Sequence, residues 1–229
     1  MAKALTIGAF GAKGTGKTAW VRQQLDALRV SRLIVWDFKH DPALRDLGTA
    51  IASLPEFIRA MKAPAFAIRY LVAHQGDVHG QFDVFCKAAW QAGNLVMFVD
   101  ELPEVTKANM APPAWRRCVN VGRDYTGSDG KRKWISIIGA GQRPAECDKS
   151  FIANCDVIHT GRLANGADAK ALAESLGCDF RELLTMPDLA WLERKAGDVA
   201  FLRGKLSFAK NSSKKSAPAK RALSAAPKG

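Results

Sequence analysis

Residues 11–18 read Gly11-Ala12-Lys13-Gly14-Thr15-Gly16-Lys17-Thr18, a complete G-x-x-x-x-G-K-[ST] run. Few short strings constrain a fold so strongly, because this one works only between a strand and a helix. Both flanks fit. Residues 5–10 form an apolar run that predicts a strand, and residues 19–28 predict a helix. Glycines let backbone N–H groups curl around a polyphosphate without Cβ clashes. The helix that follows points the positive end of its dipole at the same anion. Lys17 then reaches the β- and γ-phosphates, and the Thr18 hydroxyl ligates Mg²⁺. The alternative is a glycine-rich turn that matches by accident, and it has no need of strand and helix in register. The expectation is a chain that binds a nucleoside triphosphate.

The rest of the chain supports an α/β domain around that loop. Its 229 residues are enough to bury a good core. Apolar runs at 32–37, 65–72, 95–101, 134–139 and 157–161 predict strands. Helical patterns at 81–92, 113–121, 149–153 and 167–176 alternate with them. Residues 44–61 predict a mostly helical stretch broken near Pro55. Residues 189–194 and 199–203 predict a C-terminal hairpin. Such alternation implies a mainly parallel sheet with helices on both faces and right-handed connections.

Charge divides the chain. The net charge is +12, and residues 209–229 carry Lys210, Lys214, Lys215, Lys220, Arg221 and Lys228 with no acid, so the body before them holds the other +6. That tail is rich in Lys, Ser, Ala and Pro and is expected to be disordered, leaving residues 1–208 as the folded domain. Its basicity suits a polyanion, most simply nucleic acid, or else serves solubility alone. Five scattered cysteines without a C-x-x-C pair read as small core residues in a reducing compartment. No Cys/His cluster has metal-ligand spacing. No apolar run is long enough to span a bilayer, and the start has no signal-peptide pattern. The expectation is a soluble, cytoplasmic protein.

Two further runs carry chemistry. The strand at 95–99 is followed by Asp100 and Glu101. In a parallel sheet that end faces the ligand crevice. Asp100 would lie near Mg²⁺ and Glu101 near the γ-phosphate, where a carboxylate can orient or deprotonate water. The second acid favours hydrolysis over transfer to a small acceptor, so a small-molecule kinase is the weaker alternative. The strand at 135–139 leads to Gly141-Gln142-Arg143-Pro144. Gln142 would reach the same edge and can bond both water and a phosphate oxygen, or else it merely caps a strand before a turn.

Taken together, G-A-K-G-T-G-K-T, V-D-E, Gly122-Arg123 and a strand ending G-Q-R-P resemble the FtsK–HerA superfamily of DNA-pumping ATPases. Asp37-Phe38-Lys39 resembles the acid-x-Lys after that family's second strand, and 152–156 followed by a strand and Arg162-Leu163 is similar too. The likeness covers about residues 4–203. The short chain looks most like the genome-packaging ATPases of membrane-containing double-stranded DNA viruses.

The resemblance implies a RecA-like fold and an ATP-driven translocase. It would work as a homo-oligomeric ring, most simply a hexamer, around double-stranded DNA, with a capsid vertex protein as a further partner. It implies Lys17 and Thr18 as the Walker A pair, Asp100 and Glu101 as the Walker B acid and catalytic glutamate, and Gln142 as the sensor. Arg123 would act across the subunit interface, with Arg143 as a second candidate. The basic run Asp129-Gly130-Lys131-Arg132-Lys133 looks inserted. It would shift Arg123 away from its strand, and it is either a DNA contact or a solvated hairpin tip. A zonula-occludens-toxin-like assembly ATPase of filamentous phage is the alternative, although such proteins usually carry a membrane segment.

Overall fold

The computed structural model describes residues 4–28 and 30–207. Strand β1 (Thr6–Phe10) leads through the phosphate loop into helix α1 (Lys17–Leu28) and strand β2 (Arg32–Asp37). A 3-10 helix (Pro42–Leu47), strand β3 (Thr49–Ile51), helix α2 (Leu54–Ala60) and strand β4 (Phe66–Leu71) follow. Helix α3 (Val78–Ala92), strand β5 (Leu95–Val99) and helix α4 (Pro113–Val121) come next. A small hairpin, β6 (Tyr125–Thr126) and β7 (Arg132–Lys133), precedes β8 (Ile135–Gly141). The chain continues through α5 (Lys149–Ala153), β9 (Val157–Thr160), α6 (Gly166–Leu176) and α7 (Phe180–Thr185). It ends in the hairpin β10 (Ala190–Lys195) and β11 (Leu202–Lys205).

Nine strands form one sheet in the order β11-β10-β9-β1-β8-β5-β2-β4-β3. Seven are mutually parallel, and the C-terminal hairpin extends their edge with antiparallel pairings, β10 being the strand that runs against the rest. The strands at its centre are apolar on both faces, as a sheet covered on both sides requires. Leu95, Met97 and Val99 of β5 pack into one core with Ile34 and Trp36 of β2, under α2 to α7. Val96 and Phe98 pack with Leu33 and Val35 into a second core under α1. Trp36 is fully buried and meets Phe82 and Phe85 edge-on at 5.0 and 5.2 Å. Truncating such a side chain to alanine costs about 3–5 kcal/mol.

The expected α/β fold with its C-terminal hairpin is present, and the differences are local. Residues 44–61 are not one broken helix. Pro55 sits in the first turn of α2 and starts it, because its fixed φ and missing N–H suit that place. Between the helical pieces Gly48 lies so close to β4 that a Cβ there would stand 2.5 Å from the Ala67 backbone, and this approach lets β3 pair with β4. Helix α7 escaped the periodicity reading because it has six residues and one fully buried side chain, Leu183; its start is fixed by the Asp179 cap. Among the described residues no helix is long and apolar enough to cross a membrane. The basic tail at 209–229 lies outside the described residues.

Candidate active site

All seven parallel strands present their C-terminal ends to one edge, where a doubly wound sheet binds its ligands. Strand β1 ends in the phosphate loop. There Gly11, Gly14 and Gly16 have φ of +142°, +82° and +91°, a region that side chains avoid. The loop is braced from outside, where Ala12 N donates to Arg162 O at 2.7 Å, and from within, where Thr15 Oγ1 donates to Ala12 O at 2.9 Å. Lys17 folds over it, its Nζ donating to the carbonyls of Gly11 at 2.7 Å and Ala12 at 3.1 Å. Burial holds the Lys17 ammonium below the ordinary lysine pKa, against the opposing pull of Glu101 and Asp100. Leu206, just after β11, presses on the loop so closely that a Cβ on Gly16 would lie 2.3 Å from its Cδ1.

Strand β8 lies between β1 and β5 in the sheet, so the loop and the paired acids flank it. Past the end of β5, Glu101 is buried and adopts φ 50° and ψ 53°, a left-handed conformation that costs a non-glycine residue about 1–3 kcal/mol. Its Oε1 accepts from Gln142 Nε2 at 2.8 Å and from Lys39 Nζ at 2.6 Å. Asp100 stands beside it with its pKa pushed up to about 7, first by burial and then by the charges of Glu101 and Asp37. Asp37, at the end of β2, is held by Arg69 at 3.1 Å and by the backbone N–H of Asp41 at 2.9 Å.

These groups line one cleft of about 650 Å³, which takes in Lys13, Gly14, Gly16, Lys17, Thr18, Lys39, Asp100, Glu101, Gln142 and Leu189. The structure thus brings the phosphate loop, both acids and Gln142 together. Lys39 is the member that was not assigned a role from sequence. Its only signal was the acid-x-Lys pattern after β2. The donor set suits Mg²⁺, since the Thr18 hydroxyl and Asp100 carboxylate are hard oxygen ligands. Among the described residues no cluster of three His, Cys, Asp or Glu could hold a metal, so an ion here would complete its shell with phosphate oxygens and water.

The two arginines are placed differently. Arg143, next to Gln142, is half exposed and is held by Asp168 at 3.0 Å and Glu146 at 2.7 Å. Arg123 lies at the opposite end of the sheet. It pairs with Asp156 at 3.1 Å and donates to the Asn154 carbonyl, beside the start of β9. Asp156 in turn accepts from Thr6 N at 2.8 Å, at the start of β1.

The run at 129–133 does not displace Arg123 from its strand. It loops out as the β6–β7 hairpin, and Ile135 N returns to donate to Gly122 O at 2.7 Å. Its charges are largely answered within the chain. Arg132 pairs with Asp124, while buried Lys133 pairs with Asp129 at 3.3 Å and donates to Gln91 O at 2.8 Å. Lys131 is left exposed at its tip.

No protein-family profile matches the sequence. The chain is 26% identical over 184 residues to Protein P9 of Pseudoalteromonas phage PM2, an alignment covering 78% of each. Its fold is similar to that of the genome packaging NTPase B204 from Sulfolobus turreted icosahedral virus 2. Against the sulfate complex the TM-score is 0.69 at 15% identity, covering 91% of this chain and 99% of that one. B204 has also been solved with ATP-gammaS. VirB4 of Thermoanaerobacter pseudethanolicus shares the fold at a TM-score of 0.63 and 11% identity, over 90% of each chain. The chain therefore shares the α/β fold of the genome packaging NTPase B204 and of VirB4.

Proposed function

We propose that this protein is a viral or phage genome-packaging ATPase that hydrolyses ATP in a ring and drives double-stranded DNA. The observation that carries the reading is the cleft in which the phosphate loop, Asp100, Glu101 and Gln142 meet. B204, whose fold this chain shares, is a genome packaging NTPase solved with an ATP analogue.

Lys17 and the loop N–H groups hold the polyphosphate. Thr18 and Asp100 would hold Mg²⁺, which would neutralise phosphate charge. Glu101 accepts the proton of an attacking water, its Oε1 held by Gln142. Gln142 links this base to the occupancy of the γ-phosphate site. Having a base for water favours hydrolysis over transfer to a second substrate.

In a ring, a cation from the neighbour can complete the site. Arg143 is the better placed of the two candidates, because it stands half exposed at the cleft's own edge. Arg123 could reach a neighbour only by releasing Asp156. DNA would be held through its phosphates and without regard to sequence, as a translocase requires.

The test is ATP hydrolysis measured with and without double-stranded DNA, alongside native mass. Hydrolysis stimulated by DNA in an assembled ring is expected. A monomer whose hydrolysis ignores DNA would overturn the translocase reading.

A further inference from the structure

Lys39 is the unassigned charge in the cleft. Its Nζ lies 2.6 Å from Glu101 Oε1, the oxygen that also accepts from Gln142 at 2.8 Å. The two partners differ in freedom: the side chain of Glu101 is 11% exposed and that of Lys39 is 50% exposed. A half-exposed ammonium on a four-carbon stem moves at little cost, whereas Glu101 is fixed by burial and by its left-handed backbone. Lys39 lines the same cleft as Lys17, so the two ammonium groups face one anion path.

From this geometry we infer that Lys39 is a second phosphate-binding cation that exchanges Glu101 for the γ-phosphate. A triphosphate brings a denser anion into the cleft than a single carboxylate, and charge-assisted hydrogen bonds favour it. When the ammonium moves over, Glu101 loses its ion pair and keeps the amide of Gln142. A diphosphate ends one phosphoryl group short, so Lys39 stays on Glu101 and the carboxylate remains masked. The exchange therefore makes Lys39 a positioning residue that distinguishes ATP from ADP. It rests on the nucleotide reading proposed above.

The test is calorimetric binding of a non-hydrolysable ATP analogue and of ADP, with Mg²⁺, to the full chain and to Lys39→Ala and Lys39→Arg. Lys39→Ala is expected to weaken the analogue by about tenfold or more and leave ADP unchanged, since one hydrogen bond to a charged group is lost. Lys39→Arg should restore most of the preference, because the guanidinium keeps the charge. Equal weakening of both nucleotides would show a merely structural role and overturn the exchange, as would an unchanged affinity for the analogue. A wild-type chain that bound neither nucleotide would overturn the nucleotide reading itself, a result distinct from either.

Discussion

The side-chain amide of Gln142 meets the carboxylate of Glu101 at 2.8 Å, so the ends of β8 and β5 are joined by a hydrogen bond across adjacent strands. The backbone sets this distance: Val99 and Gly139 are in register, and each chain runs on into the cleft. The proposed phosphate sensor and the proposed base for water thus touch directly.

Binding and turnover should separate at Lys17 and Glu101. Lys17→Ala removes the ammonium closest to the loop carbonyls and should abolish detectable triphosphate binding. Glu101→Gln keeps the shape and a partner for Gln142 but cannot take a proton. It should retain nucleotide and lose about 10²-fold or more in kcat. Nucleotide titration beside steady-state hydrolysis reads both, and equal loss of binding in the two variants would contradict the assignment.

Mixed rings test the arginines. Arg143→Ala and Lys17→Ala should each be inactive alone, with a loss of about 10³ for a missing transition-state cation. Mixed, they should regain hydrolysis, because an Arg143-bearing neighbour can complete an intact Lys17 site. Arg123→Ala should lower Tm, since it removes the ion pair with Asp156 at the base of β1. Recovery in Arg123 mixtures and none in Arg143 mixtures would reverse the choice.

Stability should fall in mild acid through His159. This ring is 2% exposed and stacks on Trp20 with centroids 3.9 Å apart. Its Nδ1 lies 3.4 Å from Glu193, a contact too poor to satisfy the nitrogen. Burial lowers its pKa, opposed by Glu193. The folded state therefore holds fewer protons than the unfolded chain, whose histidine titrates near 6.5. The stabilisation is complete above that value and is lost as pH falls from there through the lowered folded pKa. Melting temperatures between pH 7.5 and 5 should drop, and His159→Phe should flatten the slope.

Removing residues 209–229 should weaken DNA affinity and flatten its salt dependence by up to about six phosphate contacts. Tm should be unchanged, because no apolar periodicity is lost. An unaltered salt slope would mean that these lysines serve solubility or another acidic partner.

Local patterns were readable in the sequence, and pairings across the fold were not. The phosphate loop, β2, α4 and α5 follow from contiguous residues, each with its own period or breaker. Asp100, Glu101 and Gln142 could be placed because strand ends in a parallel sheet share an edge. Lys39 could not be placed, since its partner is 62 residues away and nothing local marks a lysine for that carboxylate. The ion pair of Arg123 with Asp156, 33 residues on, is likewise a contact that only folding creates. β3 has three residues, too few to show a period, and exists because Gly48 admits it to the edge of β4.

Leu206 resting on Gly16 has a practical and a mechanical meaning. A truncation ending before it would remove a wall of the phosphate loop, while one ending just after it would spare that wall. Any change that shifts Leu206 must therefore also shift or uncover the glycine beneath it.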